Sequence, residues 1–350
     1  MVIHIPDVFW QKVAEHNEKA RVLKLLFYLF ESNTHELMLT EKEDLQLFNH
    51  KELSLYREYV VKKAVRDSVK RPKTRHIVQL YPDRESITDV VKRIRESDLE
   101  AHIRTIINGA RYMVTLRDRT FDLISYELIS TFVGSPLKIL VENIRSDKLF
   151  LQTVIKHIGG LNPDELFVEY LHGGGSTLLQ VADEYKGKVR VFCLIDGDEV
   201  SPGEYISLDK KAFKQKVVQA CKKYGYQYHV LMKREIENYI PDEALIRMGC
   251  RKNHLYFQLP EEHKDYFDMK EGLKPSDFQY KLWRELHRYR AREAAATANK
   301  RRSKRTKTKI DGFGRTVYTA FKYVQSKEEL ERRDGHGELE ELVQKILDMV

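Results

Sequence analysis

Apolar residues between positions 7 and 70 recur at spacings of three and four, as in Leu45, Leu47, Phe48, Leu53, Tyr56, Tyr59 and Val60. That period predicts helices over 7–31 and 41–70. Arg71-Pro72-Lys73 interrupts it, and residues 76–81 then read as a short strand. Ser86 followed by Asp89 resembles a helix start, with helix through about 96. Residues 99–133 read as mostly helical. The expectation over 1–134 is a mainly helical accessory domain suited to binding a partner.

After Gly134-Ser135-Pro136 the pattern changes. Short apolar runs at 137–141, 165–171, 189–195 and 226–232 predict strands. Helical stretches at 147–158, 177–186 and 210–224 alternate with them, and Gly159-Gly160 ends the first. Strands alternating with helices predict an open, mostly parallel α/β sheet flanked by helices over 135–258. Residues 259–350 form a helical C-terminal extension in this reading. Helix is expected over 261–298 and 338–349, while 310–324 fits helix or strand.

Three of these strands end in acid. The first ends in Glu142, the third in Asp196-Gly197-Asp198, and the fourth runs into Lys233-Arg-Glu235-Ile-Glu237-Asn-Tyr239. In open α/β sheets ligands gather outside the carboxyl ends of the strands. Neighbouring carboxylates repel, and Mg²⁺ is a natural counter-ion because it takes oxygen ligands and keeps several waters. Gly197 is expected to let the backbone turn so that both Asp side chains face one ion. The competing reading is a set of separate, solvated loop acids. Glu235 and Glu237 share a face if the chain is still extended there and do not if it has turned helical.

A Glu after the first strand, the Gly-rich turn His172-Gly-Gly-Gly-Ser176 after the second, and Asp-x-Asp after the third resemble the TOPRIM domain. Primases, topoisomerases and nucleases of the OLD (overcoming-lysogenization-defect) family share that domain. The resemblance covers 136–245. Residues 233–241 resemble the Glu-x-Glu-Asn-Tyr segment of the OLD type, and Ser146-Asp147 its Ser/Thr-Asp. The segment Glu142-Asn-Ile-Arg-Ser-Asp147 lacks that family's Gly and has one extra residue. The resemblance implies a nuclease acting on DNA or RNA, tRNA included, with two Mg²⁺ or Mn²⁺ ions. Asp196 and Asp198 would hold one ion beside Glu142 as ligand or base, and Asp147 with Glu235 or Glu237 would hold the second. It also implies anti-phage defence. The chain has no Gly-x-x-x-x-Gly-Lys-Ser/Thr, so an ATPase or sensor would be a separate protein. The family's late Lys has no assigned position here, and a homo-oligomer is compatible with the pattern. The competing function is a non-catalytic TOPRIM scaffold that binds nucleic acid or a partner, motivated by the altered spacing after Glu142. Primase or topoisomerase chemistry is a third reading, with no zinc module to support it.

Charge adds a partner. The 350 residues carry 61 Lys and Arg against 53 Asp and Glu, a formal net charge of +8 that favours a polyanion. Residues 299–309 hold seven Lys or Arg, among them Lys300, Arg301, Arg302, Lys304 and Arg305. These five, with Lys233 and Arg234, are the candidate phosphate contacts; a solvated tail is the plainer reading of the run. Gly173–175 either admit a phosphate or simply make a tight turn. The 3 cysteines are far apart and form no zinc pattern, which fits free thiols in a reducing, cytoplasmic setting. The run Leu25-Leu-Phe-Tyr-Leu-Phe30 is far too short to span a membrane, and Met1-Val-Ile-His-Ile-Pro6 is not a signal sequence.

Overall fold

The computed structural model describes residues 2–5, 36–38, 76–81, 84–97, 101–107, 110–116, 119–174, 177–251, 254–273 and 310–350. They build two sheets that carry the architecture. The first contains β1 (Val2–His4), β2 (Glu36–Met38), β3 (His76–Tyr81), β4 (His102–Ile107), β5 (Arg111–Leu116) and β6 (Arg119–Ser125), in the order β2-β1-β3-β6-β5-β4. The first four in that order run parallel, and β5 and β4 run antiparallel. Helix α1 (Arg84–Ser97) lies on it, and α2 (Tyr126–Gly134) leads out.

Among the described N-terminal residues one stretch departs from the helical expectation. Residues 102–125, read as mostly helical, are three strands. The physical cause is a period of two: Tyr112, Val114 and Leu123 point inward and close a core with Tyr81, Ile87 and Val91. The sequence did hold a hairpin signal, Asn108-Gly109, between β4 and β5. The strand at 76–81 and the helix from 84 agree with the pattern. The helices expected over 7–31 and 41–70 lie outside the described residues.

The second sheet is wholly parallel. It comprises β7 (Leu137–Val141), β8 (Val168–His172), β9 (Val191–Ile195) and β12 (Gln227–Val230), in the order β12-β9-β7-β8. Between its strands come α3 (Ile144–His157), α4 (Thr177–Tyr185), the small hairpin β10 (Glu199–Ser201) and β11 (Glu204–Tyr205), and α5 (Leu208–Tyr224). A short helix, α6 (Asp242–Arg247), comes after β12. Alternation splits each strand between two faces. Ile139, Val141, Phe192 and Leu194 face α3 through Phe150, Leu151 and Val154. Leu140, Val191, Cys193 and Ile195 face α4 and α5 through Leu178, Ala182, Val217 and Cys221. Burial on both faces explains why these strands read as continuous apolar runs.

Residues 261–298 are expected helical, but among those described only α7 (Glu261–Lys264) is, and 274–298 lie outside them. The C-terminal segment is helical as its pattern indicates, with a 3-10 helix at Val317–Tyr323, α8 (Lys327–Asp334) and α9 (Glu338–Leu347). It does not stand apart. Phe321, Leu330, Leu339, Leu342 and Ile346 belong to the same core as Ile139 and Phe150.

Two buried arginines join the sheets. Arg111, at 2% exposure, holds Asp122, at 0%, with Nε–Oδ1 2.9 Å and Nη2–Oδ2 3.2 Å. It also donates to the carbonyls of Gly187 and Gly225, at 2.6 and 3.1 Å. Arg190 donates to the carbonyls of Phe132, Ser135 and Met349. Gly187 and Gly225 precede β9 and β12, so the first sheet docks at the amino ends of those strands. The carboxyl ends stay free.

Arg111→Met takes the guanidinium away from the buried Asp122 carboxylate, and is expected to cost about 3–5 kcal/mol. Arg111→Met with Asp122→Leu is expected to recover much of that loss. Urea unfolding of the single and double variants measures both.

Candidate active site

The order β12-β9-β7-β8 has its switch point between β7 and β9: the chain leaves β7 for β8 on one side and leaves β9 for β12 on the other. Such a crevice is where open α/β sheets bind ligands. Leu140 pairs with Cys193, so Glu142 and Asp196, just beyond the two strands, emerge at the same end of neighbouring strands. Beyond β12 the chain continues alongside the residues that follow β9. Leu231 N donates to Ile195 O and Asp198 N to Arg234 O, both at 2.9 Å. This contact explains Gly197, where a Cβ would stand 2.2 Å from the Lys233 carbonyl oxygen. Glycine is required there for close backbone approach. The positive φ, at 55°, falls on Asp198 instead, a strain held by its neighbours.

The predicted carboxylates come together. Burial, then Glu142, Asp147, Glu235 and Glu237, push the Asp196 carboxyl well above the usual range. Burial raises Glu142 as well, helped by Asp198 and Asp147 and opposed by Lys210 and Lys270. Burial raises Asp147 against its own hydrogen bonds. Burial and then Glu235 push Glu237 up to about 7. These shifts are the signature of like charges crowded in a poorly solvated place.

Asp147 sits in the first turn of α3. Its Oδ2 accepts from Asn143 N at 2.9 Å and its Oδ1 from the Ser146 hydroxyl at 2.8 Å, so both oxygens already serve the helix start. Glu235 precedes a 3-10 helix, Ile236–Tyr239, that contains Glu237. The chain has turned helical there, yet both acids reach one cation. Lys270 Nζ lies 2.8 Å from Glu235 Oε2 and 3.1 Å from Glu237 Oε1. The contact to Glu237 is an ion pair without hydrogen-bond alignment.

Lys233 and Arg234 are not phosphate contacts. They are 3% and 9% exposed and turn inward, Lys233 to Asp265 and Arg234 to Asp268 at 2.7 Å. Tyr239 donates to Glu338 and accepts from Lys233 N at 3.2 Å. The Glu199 carboxylate accepts from Gly203 N at 3.0 Å and serves the hairpin turn. Lys300, Arg301, Arg302, Lys304 and Arg305 lie outside the described residues.

Two cations were missed by sequence reading. Lys270 lies far beyond the acids in an unremarkable stretch, and no local signal marks it. Lys210 Nζ stands 3.4 Å from Asp198 Oδ1 on the first turn of α5. Burial opposes its charge, but Asp198 and Glu142 outweigh that and hold its pKa above the ordinary value. Lys211 and Lys214 lie 5.3 and 4.2 Å from the Tyr205 ring centre, and Lys214 donates to Gly197 O at 2.7 Å. Together they make a basic rim beside the acids.

The donors are carboxylate oxygens, suited to a hard divalent cation. Glu235 Oε1 and Glu237 Oε2 are buried with no hydrogen-bond partner among the described residues, which fits a cation. No three His, Cys, Asp or Glu among the described residues are gathered closely enough to form a metal cage. Mg²⁺ commonly takes one or two carboxylates and completes its shell with water and phosphate oxygens. Comparison with protein-family models, curated proteins and solved structures finds no match for this chain. No helix among the described residues is long and apolar enough to cross a membrane.

A carboxyl raised in the fold binds a proton on folding between its ordinary and its raised value. Its stabilising contribution is complete below the ordinary value and is lost as pH rises through the raised one. Glu237 sets that window at 4.5 to about 7. Chelator-treated protein is therefore expected to lose stability from pH 4.5 to about 7, with each such carboxyl contributing up to about 1.4 kcal/mol per pH unit. Urea unfolding across that range should show the fall, and Glu237→Gln should flatten it.

Proposed function

We propose that this chain is a divalent-metal-dependent nuclease whose site is the acid cluster at the switch point of the parallel sheet. The observation that carries the reading is the convergence of Glu142, Asp196 and Asp198 just past the carboxyl ends of the neighbouring strands β7 and β9. In this reading the sheet is a TOPRIM-type scaffold. Glu142, Asp196 and Asp198 hold Mg²⁺ or Mn²⁺. A bound ion there lowers the pKa of a water and offsets charge on the phosphate and leaving oxygen. Glu142 would serve beside the ion as a ligand or as the base that accepts the proton of the attacking water. The basic rim of Lys210, Lys211 and Lys214 meets the phosphate backbone and adds salt-dependent affinity. The resemblance to OLD-type nucleases suggests an anti-phage effector working with a separate ATPase or sensor.

A second reading, a non-catalytic binding module, is favoured by the engagement of both Asp147 oxygens within its helix start and by the lack of a closed three-ligand cage among the described residues.

Plasmid and tRNA incubated with the chain and Mg²⁺ or Mn²⁺ separate the two. Cleavage abolished by Asp196→Asn with Asp198→Asn, in protein of unchanged circular dichroism, is the expected result. Cleavage undiminished in that variant would remove the site assignment. In Ca²⁺, Lys211→Glu is expected to weaken nucleic-acid binding and to reduce the salt slope by about 1. Filter binding at several salt concentrations measures it.

A further inference from the structure

Lys270 is a fixed cation. Its amide donates to Asp268 Oδ1 at 3.1 Å, and Arg234 grips the other oxygen of Asp268. Its carbonyl accepts from Gly314 N at 3.1 Å, and the backbone at Gly312 packs so closely that a Cβ there would stand 2.5 Å from the Lys270 oxygen. From this clamp the ammonium reaches Glu235 and Glu237, whose side chains are 14% and 1% exposed, and is itself 34% exposed.

Asp198 meets the half-exposed Lys210 ammonium at 3.4 Å, and the other five acids fall into two groups. Asp147, Glu235 and Glu237 are engaged, the first by its helix start and the other two by Lys270. The carboxylates of Glu142 and Asp196 take no hydrogen bond from the described residues. A divalent ion bound by Glu235 and Glu237 would stand within a few ångströms of the ammonium, where poor solvation leaves the repulsion strong. Lys270 and an ion at that pair are therefore alternatives.

We propose that the Lys270 ammonium takes the place of a second metal, so that the chain holds one divalent ion, at Glu142, Asp196 and Asp198, rather than two. This rests on the reading of the acid cluster as a divalent-ion site.

Mn²⁺ binding to the full chain, counted by electron paramagnetic resonance after chelator treatment, tests it without reference to cleavage. One ion per chain is expected, lost in Asp196→Asn with Asp198→Asn. Lys270→Met is expected to bind two, and Lys270→Arg one. Glu235→Gln with Glu237→Gln, in a chain that keeps Lys270, is expected to leave the count at one. This last variant decides the matter should Lys270→Met fail to fold. Two ions in the unaltered chain, falling to one in the double Glu variant, would overturn the inference while leaving the nuclease reading intact. A count of one in folded Lys270→Met would overturn it too. No ion in the unaltered chain but one in Lys270→Met would overturn the inference, since the Asp pair would then hold no ion. No ion in either would end both.

Discussion

Like-charge repulsion at the carboxyl end of the parallel sheet is the constraint around which this molecule is arranged. Six carboxylates share one poorly solvated crevice, and the cations that offset them are supplied from elsewhere in the chain. Lys210 comes from the start of α5 and Lys270 from the loop after α7. Holding Lys270 in place requires buried ion pairs. Arg234 grips Asp268, while Lys233 and Arg333 converge on Asp265. Glu338, at the start of α9, accepts from Met232 N and from Tyr239, fixing the turn that carries Glu235 and Glu237. Residues that look like surface charge thus position the site from beneath.

The second sheet was legible because burial on both faces writes itself as continuous apolar runs, and because the chain turns abruptly acidic just past three of its strands. Glu142, Asp196 and Asp198 could be found that way. Of the first sheet only β3 was legible. β4 to β6 are mixed in polarity, with Arg104, Thr105, Thr115 and Thr120 between their apolar residues, and their inward residues also fit helical spacing. Lys233 and Arg234 were read as exposed because their partners, Asp265 and Asp268, lie some thirty residues on, in contacts only the fold creates. Lys270 was invisible for the same reason. Gly197 was legible as special but for the wrong cause, since local sequence cannot disclose that a distant carbonyl will press against it.

The joint between the sheets shows how an added sheet can leave a site alone. Arg111 and Arg190 bind carbonyls near the amino ends of β9 and β12 and in the connection between the sheets. Both work as multidentate donors to backbone, a geometry for which the planar guanidinium is suited and an ammonium is not. The sheet they attach is thereby kept at the far end from the acids, leaving the Lys210 rim open.

The shared core of the parallel sheet and the C-terminal helices has a consequence for synthesis. The chain is made from its amino end, so all six acids are in place before Lys270, Arg333 and Glu338 exist. Until then the face of the sheet formed by Ile139, Val141, Phe192 and Leu194 lacks the layer that includes Phe321, Leu339 and Ile346. A nascent chain that has passed residue 240 therefore carries an uncompensated crevice above an incompletely covered apolar face, the condition in which large chains need chaperones. The acids acquire their final surroundings only after Lys270, Arg333 and Glu338 have emerged.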